Sequence, residues 1–176
     1  MIFTETPLHG TFVIEPERFE DERGFFARTW CQQEFAAHGL NTVLTQCSLS
    51  FNKKRGTLRG MHYQVAPHEE VKLVRCTRGA IYDVIIDLRP ESPTFKQYVA
   101  IVLSAENRKM LYIPERFAHG LQTLEDETEV FYQISASYAP ESARGVRWND
   151  PIFAIEWPPA ERTINMRDAT YQDFSF

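Results

Sequence analysis

The sequence predicts an all-β protein, an antiparallel barrel or sandwich of jelly-roll type with a few short helices. Runs of β-branched and aromatic residues recur at a spacing of roughly 8–12 residues, which is typical of all-β sandwiches and barrels. Helical patterns are scarce by comparison. A chain of 176 residues with 43% apolar content can bury one substantial core, and no linker or repeat interrupts it. We therefore expect a single domain over residues 1–176.

Seven runs are expected to be strands, because they are rich in β-branched and aromatic residues and most of them end at turn residues. In chain order they are TFVIEP at 11–16, NTVLTQCSLSF at 41–51, EEVKLVRC at 69–76, AIYDVIIDL at 80–88, QYVAIVLS at 97–104, KMLYIP at 109–114 and TEVFYQISASY at 128–138. The segment TRG at 77–79 separates the third run from the fourth. This short turn predicts a tight hairpin between residues 69–76 and 80–88.

One segment, CQQEFAAHG at 31–39, has the pattern of a short helix, and Gly39 stands where a C-terminal cap belongs. A further helical turn is expected near the C-terminus. A barrel built from the predicted strands has a mouth and a lined interior, which is where ligand sites are found. Interior-facing polar residues are therefore the candidates for a functional site.

The charge of the chain argues against a nucleic-acid-binding protein. There are 19 Lys and Arg residues against 24 Asp and Glu, which gives a net charge of −5. The longest basic cluster is KKR at 53–55, too short for an electrostatic footprint of DNA or RNA. A nucleotide substrate remains compatible with this balance.

Cysteine usage and the first residues predict a cytoplasmic protein. Cys31, Cys47 and Cys76 are odd in number and show no CxxC spacing, which suits a reducing compartment. The segment MIFTETPLHG at 1–10 lacks both the basic and the apolar part of a leader peptide. No apolar run approaches the roughly 18 residues that a membrane span requires. We expect no membrane association.

Two tyrosines share one face of the run at 128–138. Because side chains alternate along a strand, Tyr132 and Tyr138 point to the same side, about 20 Å apart in extended chain. They can serve two parts of one long ligand, one as an acidic phenol and the other as an aromatic plate under a base. They can equally be two amphipathic core residues with their hydroxyls near the rim.

Two charged residues lie within apolar strand patterns. Lys72 shares a face with Val74 and Cys76, and an unpaired buried ammonium is costly, so it needs a partner, a function or a route to solvent. Asp83 lies between Ile81 and Ile85 on its own face. A buried carboxylate usually has a cationic or histidine partner, which can be purely structural.

Histidines invite comparison with metal-binding barrels. His62 lies in a strand-like segment and His119 just after a strand, beside Gly120, but the sequence after His62 contains no HxH pair. His68 follows six residues later, beyond a proline. The ligand spacing of a catalytic metal site is therefore missing. A metal-free pocket with histidine, tyrosine, lysine and arginine has the parts needed to remove a proton next to a carbonyl group.

Several long motifs, in the same order, resemble the dTDP-4-dehydrorhamnose 3,5-epimerase family over essentially the whole chain. They are FEDERGFF at 19–26, GTLRGMHYQ at 56–64, VKLVRCTRGAIYDVIIDLR at 71–89, SPTF at 92–95, LYIPERFAHGLQTL at 111–124 and RGVRWNDPIFAIEWP at 144–158. The resemblance implies a cupin-like jelly roll that forms a homodimer and uses no metal and no redox cofactor. It also implies a dTDP-4-keto-6-deoxyhexose substrate, whose 4-keto group acidifies the hydrogens at C3 and C5.

The resemblance assigns catalytic roles to four residues. His62 corresponds to the general base, Tyr132 to the acid that returns a proton, and Lys72 to the cation that stabilises the enolate oxygen. Asp168 corresponds to the carboxylate that orients the base. These roles agree with the chemistry of the groups, since an imidazole suits proton abstraction and a phenol is normally protonated.

The resemblance also assigns binding roles. Arg23 and Arg59 correspond to residues that hold the diphosphate, which suits the fork geometry of a guanidinium. Lys72 contacts substrate as well. Tyr138 corresponds to the aromatic residue that stacks on the nucleobase, and His119 to a second pocket histidine near the sugar.

The chain departs from the family's usual pattern near the nucleotide. It has Arg28 and Ala143 where the family often has glutamate. The family also often has a Q-x-N triplet, and this chain has Gln46 at its first position but Ser48 in place of the asparagine. Arg167 replaces a lysine beside the orienting acid and keeps its charge. Arg28, Gln46, Ser48 and Arg167 are expected to bind substrate, but the preference for thymidine stays open.

Three functions therefore remain for comparison. The first is epimerisation at C3 and C5 of dTDP-4-keto-6-deoxyglucose in dTDP-rhamnose biosynthesis, or at one of the two centres on a related sugar nucleotide. The others are a non-catalytic sugar-nucleotide-binding barrel and a metal-dependent cupin enzyme. In a regular strand Arg59 and His62 would point to opposite faces. Shared contact with one ligand therefore predicts a bulge at Gly60.

Overall fold

A computed structural model describes residues 1–175, which form two facing antiparallel sheets, a separate hairpin and two short helices. The first sheet contains, in spatial order, β1 (Ile2–Glu5), β2 (Phe12–Glu15), β10 (Met110–Ile113), β7 (Lys72–Arg78), β12 (Thr128–Ile134) and β5 (Gln46–Asn52). Each pair of neighbours in this sheet is antiparallel.

The second sheet contains, in spatial order, β13 (Ala143–Gly145), β6 (Thr57–Gln64), β11 (Phe117–Thr123), β8 (Ala80–Asp87) and β9 (Tyr98–Ser104). A two-residue strand, β14 (Thr163–Ile164), runs parallel to β6. The hairpin of β3 (Arg18–Asp21) and β4 (Gly24–Ala27) belongs to neither sheet. The arrangement confirms the predicted all-β fold of cupin-like jelly-roll type.

The helices are α1 (Gln32–Ala37) and α2 (Met166–Ala169). The first confirms the helix predicted at 31–39, and Gly39 takes a positive φ of 69° while its amide donates to the carbonyl of Ala36. In the part of the chain that the structure describes, no helix is long and apolar enough to cross a membrane.

The main core lies between the two sheets. It is formed by apolar side chains from the inner faces of both, which alternate with outward residues along each strand. Its fully buried members include Val74, Leu111, Ile113, Val130, Ile81, Ile85, Leu103 and Leu121. Smaller apolar clusters cover the outer faces: Phe35 of α1 packs on the first sheet, and Phe153 packs on the second.

The predicted hairpin between residues 69–76 and 80–88 is wrong. The two segments form β7 and β8, which lie in different sheets and pair with other strands. Gly79 makes the crossing with φ of 73°, and a Cβ there would lie 2.5 Å from Oγ1 of Thr128. Both strands are largely buried and each needs neighbours on two edges, so the turn leads across the core rather than back along one sheet.

Two other predicted strands are too long. The run at 41–51 pairs only from Gln46 onward, and the run at 128–138 ends at Ile134, because β5 and β12 pair from Asn52 with Thr128 to Gln46 with Ile134. Beyond that point neither segment has a neighbouring strand in its sheet. Tyr138 is therefore a loop residue, and its expected position on the same strand as Tyr132 is wrong.

Candidate active site

A pocket of about 400 Å³ opens at one end of the barrel, between the two sheets. It brings together most of the residues that the sequence singled out. The pocket is lined by Gln46, Ser48, Arg59, His62, Lys72, His119, Tyr132, Tyr138 and Arg167, together with Ser50, Glu70, Ala143 and Arg144. They come from both sheets, from the loops after β12 and before β7, and from α2.

His62 lies on β6 and is held by Asp168 of α2. Its Nε2 donates to Oδ1 of Asp168 over 2.8 Å, and the side chain of Asp168 is fully buried while that of His62 is 40% exposed. The amide of Gly60 donates to the other carboxylate oxygen. Asn165 caps α2 by accepting from the amide of Asp168, which fixes the acid in place. The imidazole is thus oriented from behind and open toward the pocket.

The environment keeps Asp168 ionised. Burial alone would raise the pKa of Asp168, but the hydrogen bond and the charge of His62 oppose it. The amide of Gly60 and the nearby guanidinium of Arg167 act in the same direction as His62, and the pKa of Asp168 lies below its ordinary value. An ionised carboxylate at Nε2 steadies the imidazolium that forms when His62 accepts a proton at Nδ1.

The predicted bulge at Gly60 is confirmed. On β11, His119 pairs with His62 and Leu121 pairs with Arg59, so the register shifts by one residue around Gly60. Gly60 has φ of 131°, and a Cβ there would lie 2.5 Å from Cα of Gly120. Only glycine fits this conformation and this contact. Because of the bulge, Arg59 and His62 both line the pocket.

Tyr132 lies on β12 with its hydroxyl inside the barrel. Burial is the main cause that raises the pKa of Tyr132, to about 12, and the charge of Asp83 acts in the same direction. Ser50, whose Oγ lies 3.3 Å from the Tyr132 hydroxyl, and the Arg59 guanidinium lower it. The phenol is therefore a proton donor at rest. The guanidinium of Arg59 is thus a cation that eases ionisation of this phenol.

His119 forms a second histidine–carboxylate pair with Asp83. Its Nε2 donates to Oδ1 of Asp83 over 2.8 Å, and both side chains are buried. The ring of His119 lies edge-on to Tyr132, with ring centroids 6.2 Å apart. The expectation that Asp83 needs a histidine or cationic partner is thus confirmed. Its second oxygen, Oδ2, is buried and has no hydrogen-bond partner among the described residues.

Lys72 points into the barrel, where its ammonium is paired. Its Nζ lies 2.8 Å from Oε1 of Glu70 and donates to the backbone carbonyl of His62 over 3.3 Å. The side chains of Lys72 and Glu70 are only 10% and 11% exposed. The alternative that Lys72 reaches out to solvent is therefore wrong. Sequence analysis missed Glu70, although two glutamates directly before a strand that carries an inward lysine were a usable signal.

Arg167 joins two aromatic residues at the pocket mouth. The Nε of Arg167 donates to the hydroxyl of Tyr171 over 2.7 Å, and the nearby hydroxyls of Tyr138 and Tyr171 raise the pKa of Arg167. The ring of Tyr171 lies edge-on to His62 and fills the space that a side chain at Gly145 would need. Tyr171 was missed by sequence analysis. Tyr138 is 56% exposed, which leaves its ring available to a ligand.

Two expected binding residues do not line this pocket. Arg23 stands at the turn of the β3–β4 hairpin, 86% exposed and paired with Asp21, and Arg28 is paired with Glu34 of α1. The expectation that these two arginines join the other binding residues is not met within one chain. The reason is topological, since the hairpin is paired only with itself and lies off both sheets.

The pocket histidines are not arranged as metal ligands. Within residues 1–175, no group of three or more His, Cys, Asp or Glu side chains is placed to hold a metal ion. His62 and His119 instead use Nε2 for separate carboxylates on separate elements. The arrangement offers a base, an acid and a cation around one cavity, which suits proton transfer at carbon next to a carbonyl group.

Comparison with known sequences gives one family. The sequence model of the family described as dTDP-4-dehydrorhamnose 3,5-epimerase matches residues 5–175. The dTDP-4-dehydrorhamnose 3,5-epimerase of Shigella flexneri is 42% identical over 175 residues, which cover 99% of this chain and 95% of that protein.

Solved structures give the same result. The dTDP-4-dehydrorhamnose 3,5-epimerase of Elizabethkingia anophelis NUHP1 is similar with a TM-score of 0.96 and 36% identity, over 99% of this chain and 96% of the other. The dTDP-6-deoxy-D-glucose-3,5-epimerase of Legionella pneumophila Philadelphia 1, solved in complex with dTDP-4-keto-L-rhamnose, is similar with a TM-score of 0.91 and 34% identity, over 98% of this chain and 92% of the other.

Proposed function

Because this chain belongs to the dTDP-4-dehydrorhamnose 3,5-epimerase family, we propose that it is an isomerase that converts dTDP-4-keto-6-deoxy-D-glucose to dTDP-4-keto-L-rhamnose. The conversion inverts C3 and C5 and belongs to dTDP-rhamnose biosynthesis. The observation that carries this proposal is the His62–Asp168 pair, which faces a pocket that also presents Tyr132 and Lys72.

In the first step, His62 removes a proton from the carbon next to the C4 carbonyl. The electrons of the broken C–H bond form a double bond to C4, and those of the carbonyl move to the oxygen, which becomes an enolate. Lys72 supplies a positive charge to that oxygen, where the negative charge develops. Asp168 stabilises the imidazolium that His62 becomes. Each charge formed by the proton transfer, on the imidazolium and on the enolate oxygen, therefore faces a group of opposite charge.

In the second step, Tyr132 donates its proton to the same carbon from the opposite face. The configuration inverts because base and acid act from different sides. Burial, which raises the pKa of Tyr132 to about 12, keeps the phenol protonated until the carbanion-like carbon takes its proton. The proton gained by His62 and the proton lost by Tyr132 balance, and both groups reset by exchange with solvent before the second centre reacts.

The mouth of the pocket suits the nucleotide end of the substrate. Arg59 uses its Nε for Asn52, over 2.7 Å, which leaves its two terminal nitrogens for phosphate oxygens. Arg167 adds a second guanidinium near Tyr138, whose exposed ring can stack on the base. We assign the substrate-binding roles of Gln46, Ser48 and His119 by the same placement along the pocket wall.

A homodimer would explain the position of Arg23 and Arg28. The β3–β4 hairpin exposes Phe19 by 69% and Phe26 by 73%, a large apolar surface for a single chain. A second copy that covers these rings would carry the hairpin's arginines toward the partner's pocket. Sedimentation of the wild type at dimer mass, and of Phe26→Glu at monomer mass, would support this assembly, whereas a monomeric wild type would contradict it.

We infer a cytoplasmic location. Cys31, Cys47 and Cys76 are free thiols, which supports a reducing compartment.

Proton NMR in deuterium oxide tests the proposed function. With dTDP-4-keto-6-deoxyglucose, enzyme-dependent loss of both the H3 and the H5 signals, with appearance of the inverted product, is the expected result. Loss of only one signal would identify a single-centre epimerase. Loss of neither, with binding of the nucleotide retained, would identify a non-catalytic sugar-nucleotide-binding barrel and exclude the proposal.

A further inference from the structure

We propose that Glu70 is a positioning residue for the reaction, which holds the ammonium of Lys72 where it meets the developing enolate oxygen. This inference rests on the proposed function, because it specifies how the active site orients Lys72 toward the enolate oxygen. In this proposal Glu70 takes no direct part in the proton transfers. It acts through Lys72.

The contact between the two side chains is direct and sheltered. Nζ of Lys72 lies 2.8 Å from Oε1 of Glu70, and each side chain is about nine-tenths buried. Glu70 lies two residues before Lys72, in the segment that leads into β7, so the two side chains extend to the same side of the chain. Both line the pocket.

The hydrogen-bond inventory of Lys72 leaves one donor for substrate. An ammonium has three N–H donors. One N–H is donated to the backbone carbonyl of His62 over 3.3 Å, and the carboxylate of Glu70 lies 2.8 Å from Nζ as its ion-pair partner. Nζ has no other hydrogen-bond or ion-pair partner among residues 1–175. Because Nζ lies on the pocket wall with these two protein groups beside it, the cavity is the space that remains for a further N–H.

Stability alone does not explain this pair. Removing two charged groups from water costs about as much as their attraction returns, so a sheltered ion pair is weak evidence for stabilisation of the fold. The anionic substrate adds a second cost, because Glu70 is a carboxylate in a pocket otherwise lined by Arg59, Arg144 and Arg167. Orientation of Lys72 explains the presence of Glu70 better. The lysine side chain has four rotatable bonds, and contact with Glu70 restricts their rotation.

Orientation of Lys72 affects the transition state more than substrate binding. Negative charge on the C4 oxygen is small in the ketone and large in the enolate, so a correctly aimed ammonium stabilises mainly the latter. Loss of the clamp is therefore expected to lower kcat while KM changes little. A purely structural role would lower the thermal stability without this division.

The kinetic test uses Glu70→Gln and Glu70→Ala. A charged hydrogen bond lost from the transition state corresponds to a fall in kcat of about tenfold or more, so we expect about tenfold for Glu70→Gln and a larger loss for Glu70→Ala, with KM within about twofold. Glu69→Gln is the matched control, because Glu69 is the neighbouring glutamate and lines a different cavity. Wild-type kcat in Glu70→Ala, or an equal loss in Glu69→Gln, would overturn the inference.

A double-mutant cycle shows whether Glu70 acts through Lys72. In a Lys72→Met background, Glu70→Gln should cause no further loss of kcat, whereas full additivity of the two losses would refute the assignment. A crystal structure of Glu70→Ala without substrate tests the positioning role directly. Nζ of Lys72 should move away from the carbonyl of His62, and an unmoved Nζ would contradict the proposal. Absence of proton exchange in the wild type would instead overturn the proposed function, so the two failures are distinguishable.

Discussion

His62 and His119 face each other as register partners on β6 and β11, and each donates through Nε2 to a buried carboxylate 2.8 Å away. They differ in exposure, since the side chain of His62 is 40% exposed and that of His119 only 6%. The pocket therefore contains two similar pairs in different environments. The more exposed imidazole, that of His62, is the one that we propose as the base.

Replacement of His62 should abolish proton exchange. His62→Ala removes the proposed base while Asp168 keeps its bond to the amide of Gly60, so the fold is expected to survive. We expect a loss of about 10²–10⁴-fold or more in the rate of deuterium incorporation, as for a general base. Proton NMR in deuterium oxide measures the rate, and circular dichroism checks the fold. Exchange at the wild-type rate would exclude this role for His62.

Removal of the charge behind the base should also slow the reaction. Asp168→Asn keeps the shape of the side chain but offers no negative charge to the imidazolium of His62. We expect kcat to fall by about 10²-fold with little change in the affinity for dTDP. Steady-state kinetics and calorimetric titration with dTDP separate the two quantities. An unchanged kcat in a folded variant would mean that Asp168 only supports β6.

Removal of the Tyr132 hydroxyl should separate exchange from inversion. Tyr132→Phe leaves His62 able to deprotonate the first centre, so exchange there should persist while formation of the inverted product falls by about 10²-fold or more. The same NMR experiment records both signals. Turnover to inverted product at the wild-type rate would assign the acid to another group.

The pKa of Tyr132 adds a condition that can be checked in the wild type. Because burial raises it to about 12, the phenol stays protonated at pH 10. Loss of product formation between pH 8 and pH 10, with exchange retained, would contradict this protonation state.

Gly60→Ala should destabilise the protein more than Gly24→Ala. The two glycines have similar positive φ angles of 131° and 125°, but a Cβ at Gly60 meets Gly120 at 2.5 Å whereas one at Gly24 meets nothing within 4 Å. Backbone strain of roughly 1–3 kcal/mol applies to both. Overpacking adds a further ~1–3 kcal/mol at Gly60 alone. Urea unfolding measures the difference, and equal losses would show that the contact with β11 relaxes freely.

Asp87 should make the stability depend on pH in the acid range. Although burial opposes it, hydrogen bonds from Arg89, Ser92 and Thr94 lower the pKa of Asp87 to about 2, from 3.8. A lowered folded pKa stabilises the fold above pH 3.8, and this contribution, about 2 kcal/mol, is lost as the pH falls toward 2. Asp87→Asn removes the titrating group. The difference in unfolding free energy between wild type and variant should shrink by that amount between pH 5 and pH 2, and a constant difference would contradict the prediction.

Sequence reasoning succeeded where the information was local. Alternation along β7 placed Lys72 on the same face as Val74, and the apolar neighbours of Asp83 predicted its need for a partner, since strand periodicity alone assigns residues to faces. The conflict between Arg59 and His62 in a regular strand predicted the bulge at Gly60. The first two inferences used stretches of fewer than about ten residues, whereas the third also needed the family resemblance, which assigns Arg59 and His62 to one ligand.

Sequence reasoning failed where distant segments meet. The sequence around Gly79 is that of a hairpin turn, yet β7 and β8 lie in different sheets. A local sequence does not show whether a glycine turn leads back along one sheet or across the core to the other. Tyr138 lines the pocket, but it does so from a loop and not from β12. The strand ends at Ile134 because its pairing with β5 stops there. Arg23 lies outside the pocket because the β3–β4 hairpin that carries it belongs to neither sheet.

The sequence by itself determined the class of fold, the residue types of the pocket and the need for a glycine between Arg59 and His62. Only the tertiary structure decided which carboxylate serves which cation or histidine: Asp168 is 106 residues from His62 along the chain, and Asp83 is 36 residues from His119. The physical reason is that periodicity assigns a side chain to a face of its own strand. Its partner is chosen by the order and register of strands, which depend on burial of the whole core.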